Sequence, residues 1–133
     1  MKLKFTEHQK KYMTKGAQFW VQTLYDSELD QARGALEQSN AFCCLGVGVL
    51  CNQLETGENY PTASNGRYLG GGLTNKYSKV KDWLGLLDWY GEPHSCQYES
   101  LIDLNDSEEY NFNQIAEVLL QHPEQYFIPV KGK

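Results

Sequence analysis

The sequence has 133 residues, the size of a single domain, and we expect one domain over residues 1–133. A hydrophobic content of 41% and an aromatic content of 13% exclude a disordered chain and predict a globular core. The net charge of -5, from 12 basic and 17 acidic residues, argues against binding of duplex nucleic acid. Duplex binding needs a basic surface that neutralises phosphates.

The first third of the chain predicts an arm or helix, then a short extended segment. Residues 1–12 are charged and irregular, so they form an arm or the start of the first helix, and they lack the apolar stretch of a signal peptide. From Met13 onward the apolar residues follow helical spacing, which predicts a helix from about Glu7 to Tyr25. The segment Leu29–Leu36 favours a short strand or hairpin that enters the next helix.

The stretch Phe42–Cys51 carries no charged and no strongly polar side chain, which is typical of a segment buried on every side. Its ten residues are too few to cross a membrane, which takes about 20, and we expect no membrane partner. The stretch predicts a central helix from Cys43 to about Leu54. Gly46 and Gly48 each cost about 1 kcal/mol relative to alanine inside a helix, so we expect another element to approach closely there.

The second half of the chain alternates loops with shorter elements. Residues 56–73 form a long irregular region that fits either a functional loop or a connector. Thr74 or Asn75 is expected to cap a helix that Gly85 ends. We then expect a loop over Asp88–Ser95, a strand over Cys96–Leu104 and a turn over Asp103–Ser107. Asn111 and Gln114 resemble a capping box, which predicts a helix that begins there and stops at His122–Pro123. An apolar tail within residues 124–133 is expected to pack as an edge strand or to meet a partner.

Together these elements predict an α+β fold. About four helices surround the Cys43–Leu54 helix, and a small antiparallel sheet completes the domain.

No metal or catalytic motif is strong in this sequence. The cysteines lack the paired spacing of a zinc site, so buried, reduced thiols are the favoured interpretation. The zinc ligands considered are Cys43, Cys44, Cys51, His94 and Cys96. Asp103–Ser107 begins like a calcium loop but is not followed by the glycine and glutamate that such a loop requires. Glycine motifs for phosphates or dinucleotides are missing too. We therefore expect no cofactor, and a binding protein rather than an enzyme.

Aromatic side chains are frequent in the predicted loops, and the chain has two arginines. Flat rings beside guanidinium groups suit a planar anionic ligand such as a nucleotide. They suit a protein interface equally well. The candidate ligand-binding residues are each polar or aromatic on a predicted loop or turn. They are Arg33, Arg67, Tyr68, Trp89, Asn105 and Asp106.

Several motifs along the chain belong together. They are Trp20, Leu24, Ser27, Gln31, Gly34 and Leu36, then Phe42-Cys-Cys-Leu-Gly-Val47 with Cys51, then Val80-x-x-Trp83-Leu-Gly-Leu86, and Leu104-Asn-Asp106 followed by Phe112-x-x-Ile-Ala116. This set, over about residues 20 to 119, resembles a family of small proteins of no known activity that bacteriophages and prophages encode. The chain departs from it at Tyr25-Asp26-Ser27, where the family often has an Arg-Ser-Gly-type turn.

The resemblance implies a context, because phages use small cytoplasmic proteins largely to manage the host. We therefore expect a cytoplasmic protein of the bacterial host cell that acts in counter-defence or host modulation. The leading hypothesis is sequestration of a nucleotide-derived immune signal. The second is an interaction module that inhibits a host protein through the tail and the aromatic loops, and the third is a small hydrolase acting through Asp103, Asp106 or Cys43. A homo-oligomer is compatible with the first two, since small binding proteins often build pockets at symmetric interfaces.

Overall fold

A computed structural model describes residues 2–27, 29–33, 35–38, 41–60, 62, 68, 72–73, 75–107 and 109–130, without the side chains of Gln38 and Asn75. The described residues are mostly helical and form seven α-helices. These are α1 (Glu7–Tyr12), α2 (Lys15–Asp26), α3 (Cys44–Thr56), α4 (Ser78–Leu84), α5 (Leu101–Asp106), α6 (Phe112–Gln121) and α7 (Pro123–Tyr126). A 3-10 turn over Asn75–Tyr77 precedes α4.

The small antiparallel sheet is reduced to a minimal pairing. Strand β1 (Glu37–Gln38) pairs antiparallel with β2 (Ala41–Phe42), and Gln31 forms an isolated bridge with Phe42. Two residues on each side are too few to form a layer that packs on helices. The fold is therefore essentially helical. The described residues from Gln31 to Phe42, which we call the extended segment, lead directly into α3.

The first predicted helix, Glu7 to Tyr25, is wrong as one element, because two helices meet at Thr14. The Thr14 backbone is extended, and its hydroxyl accepts a hydrogen bond from the N–H of Ala17 at 3.0 Å. The same hydroxyl donates to the carbonyl of Trp83 at 2.8 Å. This N-cap starts α2 afresh. The helical spacing of apolar residues begins only at Met13, so the pattern gave no evidence that residues 7–12 belong to the same helix.

The central helix is confirmed as α3. Cys43 caps it, and Gly57 ends it in the left-handed conformation with φ of 75°. The predicted close approach at both glycines is confirmed. A Cβ at Gly46 would overlap the backbone carbonyl of Leu36, and a Cβ at Gly48 would lie 2.8 Å from the Leu84 side chain.

The core forms where α2 packs against α3, α4 and α6. Trp20 of α2 is fully buried, and its indole N–H donates to the carbonyl of Cys44 at 2.9 Å. Its ring meets Phe127 edge to face, with centroids 6.3 Å apart. A tryptophan buried with its N–H satisfied contributes both area and a directional contact.

Helix α4 ends as predicted at Gly85, which has a φ of 71°. Its predicted start at Thr74 or Asn75 is wrong for the α-helix, which begins at Ser78 after the 3-10 turn, with Tyr77 at the N-cap position and no side-chain cap bond.

The predicted strand over Cys96–Leu104 is wrong, because its second half is helix α5. Ser100 caps that helix, with its hydroxyl accepting from the N–H of Asp103 at 3.1 Å. Serine followed three residues later by an acidic residue is a helix-start signal that outweighs the short apolar pattern.

The last helix and the tail agree more closely with expectation. Asn111 and Gln114 form the predicted capping box of α6, and His122 ends it. After α7, Phe127 forms an antiparallel bridge with Leu86, and the N–H of Ile128 donates to the carbonyl of Gly85 at 2.8 Å. The tail thus packs back onto the domain through this bridge, through further backbone hydrogen bonds and through the buried Tyr126 and Phe127, instead of forming a full edge strand.

Candidate ligand-binding groove

A groove of about 630 Å³ lies between the N-terminal segment and one face of α2. Most of its lining side chains are long, and they are basic, aromatic or amide-bearing. They are Lys2, Leu3, Lys4, Phe5, Lys10, Gln18, Phe19 and Gln22. The volume falls within the roughly 300–1,000 Å³ typical of small-molecule sites.

Polar contacts position the N-terminal segment against the body of the protein. The N–H of Leu3 donates to Oε1 of Gln22 at 2.6 Å, and Nε2 of Gln9 donates to the carbonyl of Leu120 at 2.9 Å. None of the residues Glu7–Tyr12, all of which are described, is buried. Hydrogen bonds therefore hold α1 in place together with the partly buried Tyr12, which packs against the core.

The C-terminal segment also supports α1. The N–H of Val130 donates to the carbonyl of Lys11 at 2.8 Å. Nε2 of His8 lies 3.1 Å from Oε1 of Glu124. One wall of the groove thus depends on contacts with the end of the described chain.

The charge of this region is opposite to that of the rest of the chain. Five of the 12 basic residues, but only one of the 17 acidic residues, lie within the first 15 positions. Lys2, Lys4 and Lys10 line the groove itself. Lys10 also lies 3.9 Å from Glu7, whose side chain is 97% exposed. Such an exposed pair is worth little, so Lys10 can exchange that partner for an anion.

Two phenylalanines supply the apolar part of the groove. Phe5 is half-buried, and Phe19 is 36% exposed. Phe19 meets Trp83 edge to face at 6.4 Å, which fixes its ring orientation. Rings held at a partly open surface offer a stacking platform for a planar group.

Three of the six residues predicted to bind a ligand lie together, at the start of α3. Asn105 is buried, and its Oδ1 accepts from the N–H of Cys44 at 3.0 Å and from Nε2 of Gln31 at 3.0 Å. Its Nδ2 donates to the carbonyl of Ala32 at 2.7 Å. We call these four residues the Asn105 hub. Its hydrogen bonds join the extended segment, α3 and α5, which is a structural role.

Arg33 and Asp106 lie at the exposed side of the hub. Nε of Arg33 is 3.4 Å from the carbonyl of Ser107, and Oδ1 of Asp106 is 3.4 Å from Nδ2 of Asn105. Both side chains belong to exposed residues. Their role in binding stays a prediction.

Tyr68 lies apart from that group. Its ring packs between Phe42 and Tyr77, at centroid distances of 6.0 and 6.1 Å, and its hydroxyl donates to Oε1 of Gln53. Burial, with the charge of Glu37 nearby, raises the pKa of Tyr68 to about 12. The ring is engaged in packing on both sides.

Trp89 is 41% exposed and lies in a different part of the surface. Arg67 lies outside the described residues. None of the five described candidates lines the groove. The groove was missed because residues 1–12 were interpreted as an arm or the start of the first helix, without a role in binding. The signal that would have found it is the excess of lysine in the first 15 positions of an acidic chain.

The expectation of buried thiols is confirmed for Cys43, Cys44 and Cys51, whereas Cys96 is exposed. Burial raises the pKa of the Cys43 thiol to about 11 and that of Cys44 well above its usual value. Both thiols are therefore protonated at neutral pH, which is unfavourable for a nucleophile.

In the described part of the chain, no group of three or more His, Cys, Asp or Glu side chains is arranged to hold a metal ion. None of the helices formed by the described residues has both the length and the apolar character needed to cross a membrane.

Comparison with known proteins places the chain in a family. The model named "Domain of unknown function (DUF8296)" matches residues 13–123, so the chain belongs to that family. No curated protein and no solved structure matches the chain.

Proposed function

We propose that the protein is a non-catalytic, phage-type binding protein that takes up a nucleotide-like anion in the N-terminal groove. The observation that carries this proposal is the combination of three lysines and two phenylalanines around one groove of suitable size. The phage context, and a counter-defence role through sequestration of an immune signal, rest on the motif resemblance alone.

The chemistry of the lining supports an anionic, partly planar ligand. Lysine ammonium groups bind phosphate as point charges. Aromatic faces such as those of Phe5 and Phe19 stack on bases at about 1–3 kcal/mol per base. The acidic remainder of the chain favours this end of the molecule as the point of approach, because it repels anions elsewhere.

A binding role is favoured over the hydrolase alternative at Cys43. Its thiol is buried, and the raised pKa keeps it protonated. A hydrolase that works through Asp103 or Asp106 stays a third candidate, and it predicts turnover that single substitutions abolish.

The test is native mass spectrometry and calorimetry with a panel of mononucleotides, cyclic nucleotides and ADP-ribose derivatives. We expect a discrete added mass with the wild-type protein. The double variant Lys4→Ala, Lys10→Ala should lose at least tenfold in affinity, and raising the salt should weaken binding. The matched control, Lys76→Ala with Lys79→Ala, removes two lysines outside the groove and should bind normally. No binding across the panel, or equal losses in both double variants, would refute the proposal.

One observation favours the second candidate, an interaction module that inhibits a host protein. Four apolar side chains that are 37–45% exposed lie on two chain segments that the Leu86–Phe127 bridge joins. They are Leu87, Trp89, Tyr90 and Ile128. Aromatic residues exposed beside aliphatic ones are typical of protein interfaces.

Deleting residues 124–133 would not test this candidate cleanly, because Tyr126 and Phe127 are each 1% exposed and belong to the core. The double variant Trp89→Ser, Ile128→Ser keeps both core residues. Leu54→Ser is a matched control, since Leu54 is 72% exposed on another element. Capture of one defined host protein that is lost only in the double variant would support the interaction module. Equal capture by all three proteins would exclude this patch.

A further inference from the structure

A second groove, of about 410 Å³, continues the first one. It is lined by Lys10, Met13, Thr14, Lys15, Gln18 and Val130. Lys10 and Gln18 line both grooves, so the two are directly adjacent. We refer to the two adjacent grooves together as the channel.

The channel follows a single face of α2. Lys15, Gln18, Phe19 and Gln22 have the i, i+3, i+4, i+7 spacing of one helical face. Seven residues at 1.5 Å each make this face about 10.5 Å long.

Lysines occur along the whole channel. Lys15 lies at the end formed by the second groove, Lys10 lies at the junction, and Lys2 and Lys4 line the other groove. Lys15 is also the first residue of α2, where the partial positive charge of the helix N-terminus disfavours a cation. Lys15 and the helix N-terminus both place positive charge at this end, which favours an anion bound there.

From the length of this α2 face and the lysines that line both grooves, we propose that the ligand is an oligonucleotide of two or three nucleotides, linear or cyclic, that engages the lysines through more than one phosphate. This deepens the proposed function and rests on it. About 10.5 Å corresponds to roughly three stacked nucleotides at 3.4 Å each. In this arrangement phosphates contact lysines of both grooves, and Phe5 and Phe19, which line the first groove, stack on bases there. A mononucleotide reaches only one end of the channel.

The experiment is a length series of 5′-phosphorylated deoxyadenylates with one, two and three nucleotides, plus a cyclic dinucleotide. Binding is measured by calorimetry at 50 and 200 mM salt for the wild type, Lys15→Ala and the control Lys76→Ala. We expect affinity to rise at least tenfold from one to three nucleotides. The salt dependence should steepen by about 0.7 in log–log slope for each phosphate added. Lys15→Ala should weaken the trinucleotide severalfold and leave the mononucleotide unchanged, and a thermal melt checks its folding.

The outcomes separate the two proposals. Equal affinity and equal salt slope for one and three nucleotides, with no effect of Lys15→Ala, would overturn the oligonucleotide inference and leave groove binding intact. No binding by any member of the series would overturn the inference, and the proposed function would then depend on the nucleotide panel alone. Tight binding of the cyclic dinucleotide alone would select the cyclic form.

Discussion

Replacing Asn105 tests whether the Asn105 hub stabilises the fold. Asn105→Ala leaves the buried N–H of Cys44 and the buried carbonyl of Ala32 without their partner. A buried polar group without a hydrogen bond costs about 1–3 kcal/mol, so losing the partner of two such groups should lower the free energy of unfolding by about 2–6 kcal/mol. Domains have only about 5–15 kcal/mol in total, so the variant should be severely destabilised.

Urea unfolding followed by tryptophan fluorescence measures this loss, and a thermal melt should show Tm lower by roughly 10 °C or more. Asn113→Ala is the matched control. Its side chain donates one exposed hydrogen bond, to the carbonyl of Tyr25 at 3.0 Å, and should cost under about 1 kcal/mol. An Asn105→Ala protein within 1 kcal/mol of the wild type would refute the structural role of the hub. It would also revive the prediction that Asn105 binds a ligand.

Three further predictions concern α3 and the thiols. Gly46→Ala should lower the free energy of unfolding, measured in urea, by about 3 kcal/mol, because the new Cβ meets the backbone of Leu36. Gly48→Ala should change it by under about 1 kcal/mol, because the new Cβ meets only the flexible end of the Leu84 side chain. Equal losses in the two variants would contradict this packing. In the native protein at pH 8, iodoacetamide should modify Cys96 within minutes and spare Cys43, which peptide mass mapping would reveal. Burial favours the protonated Cys43 thiol, so stability should fall as pH rises from 9 toward 11, by about 2–3 kcal/mol, and a flat urea midpoint over that range would contradict the raised pKa.

The parts of the fold that could be predicted are those where local chemistry and burial agree. The α3 helix is apolar on all sides and ends at a glycine, and α6 opens with a capping box. The two wrong element predictions, the single helix across Thr14 and the strand across Ser100, share one cause. In each case a single capping residue starts a new helix within a segment that was assigned to another element. The short-range hydrogen bonds of Thr14 and Ser100 set where α2 and α5 begin, whereas the spacing of apolar residues indicated different element boundaries.

The site was less predictable because it joins residues that no local pattern connects. Lys2 and Lys4 precede α1, while Gln18 and Gln22 belong to α2, and the groove exists only because the break at Thr14 folds one segment along the other. A single helix from Glu7 to Tyr25, as the spacing indicated, would have no such groove. The only indication of the groove in the sequence is its composition, because lysine is in excess near the start of the chain.

The most specific motifs of the sequence therefore explain folding rather than binding. Gln31, Cys44 and Asn105 belong to the motifs singled out in the sequence, and all three meet in the Asn105 hub. The family model matches residues 13–123, which include the hub but not Lys2, Lys4 or Lys10. The groove thus combines a face of α2 inside the family's segment with an N-terminal segment outside it. Ligand binding is accordingly proposed for this chain, and a relative without lysines at the equivalent N-terminal positions should share the hub and the helical core but not bind the anion.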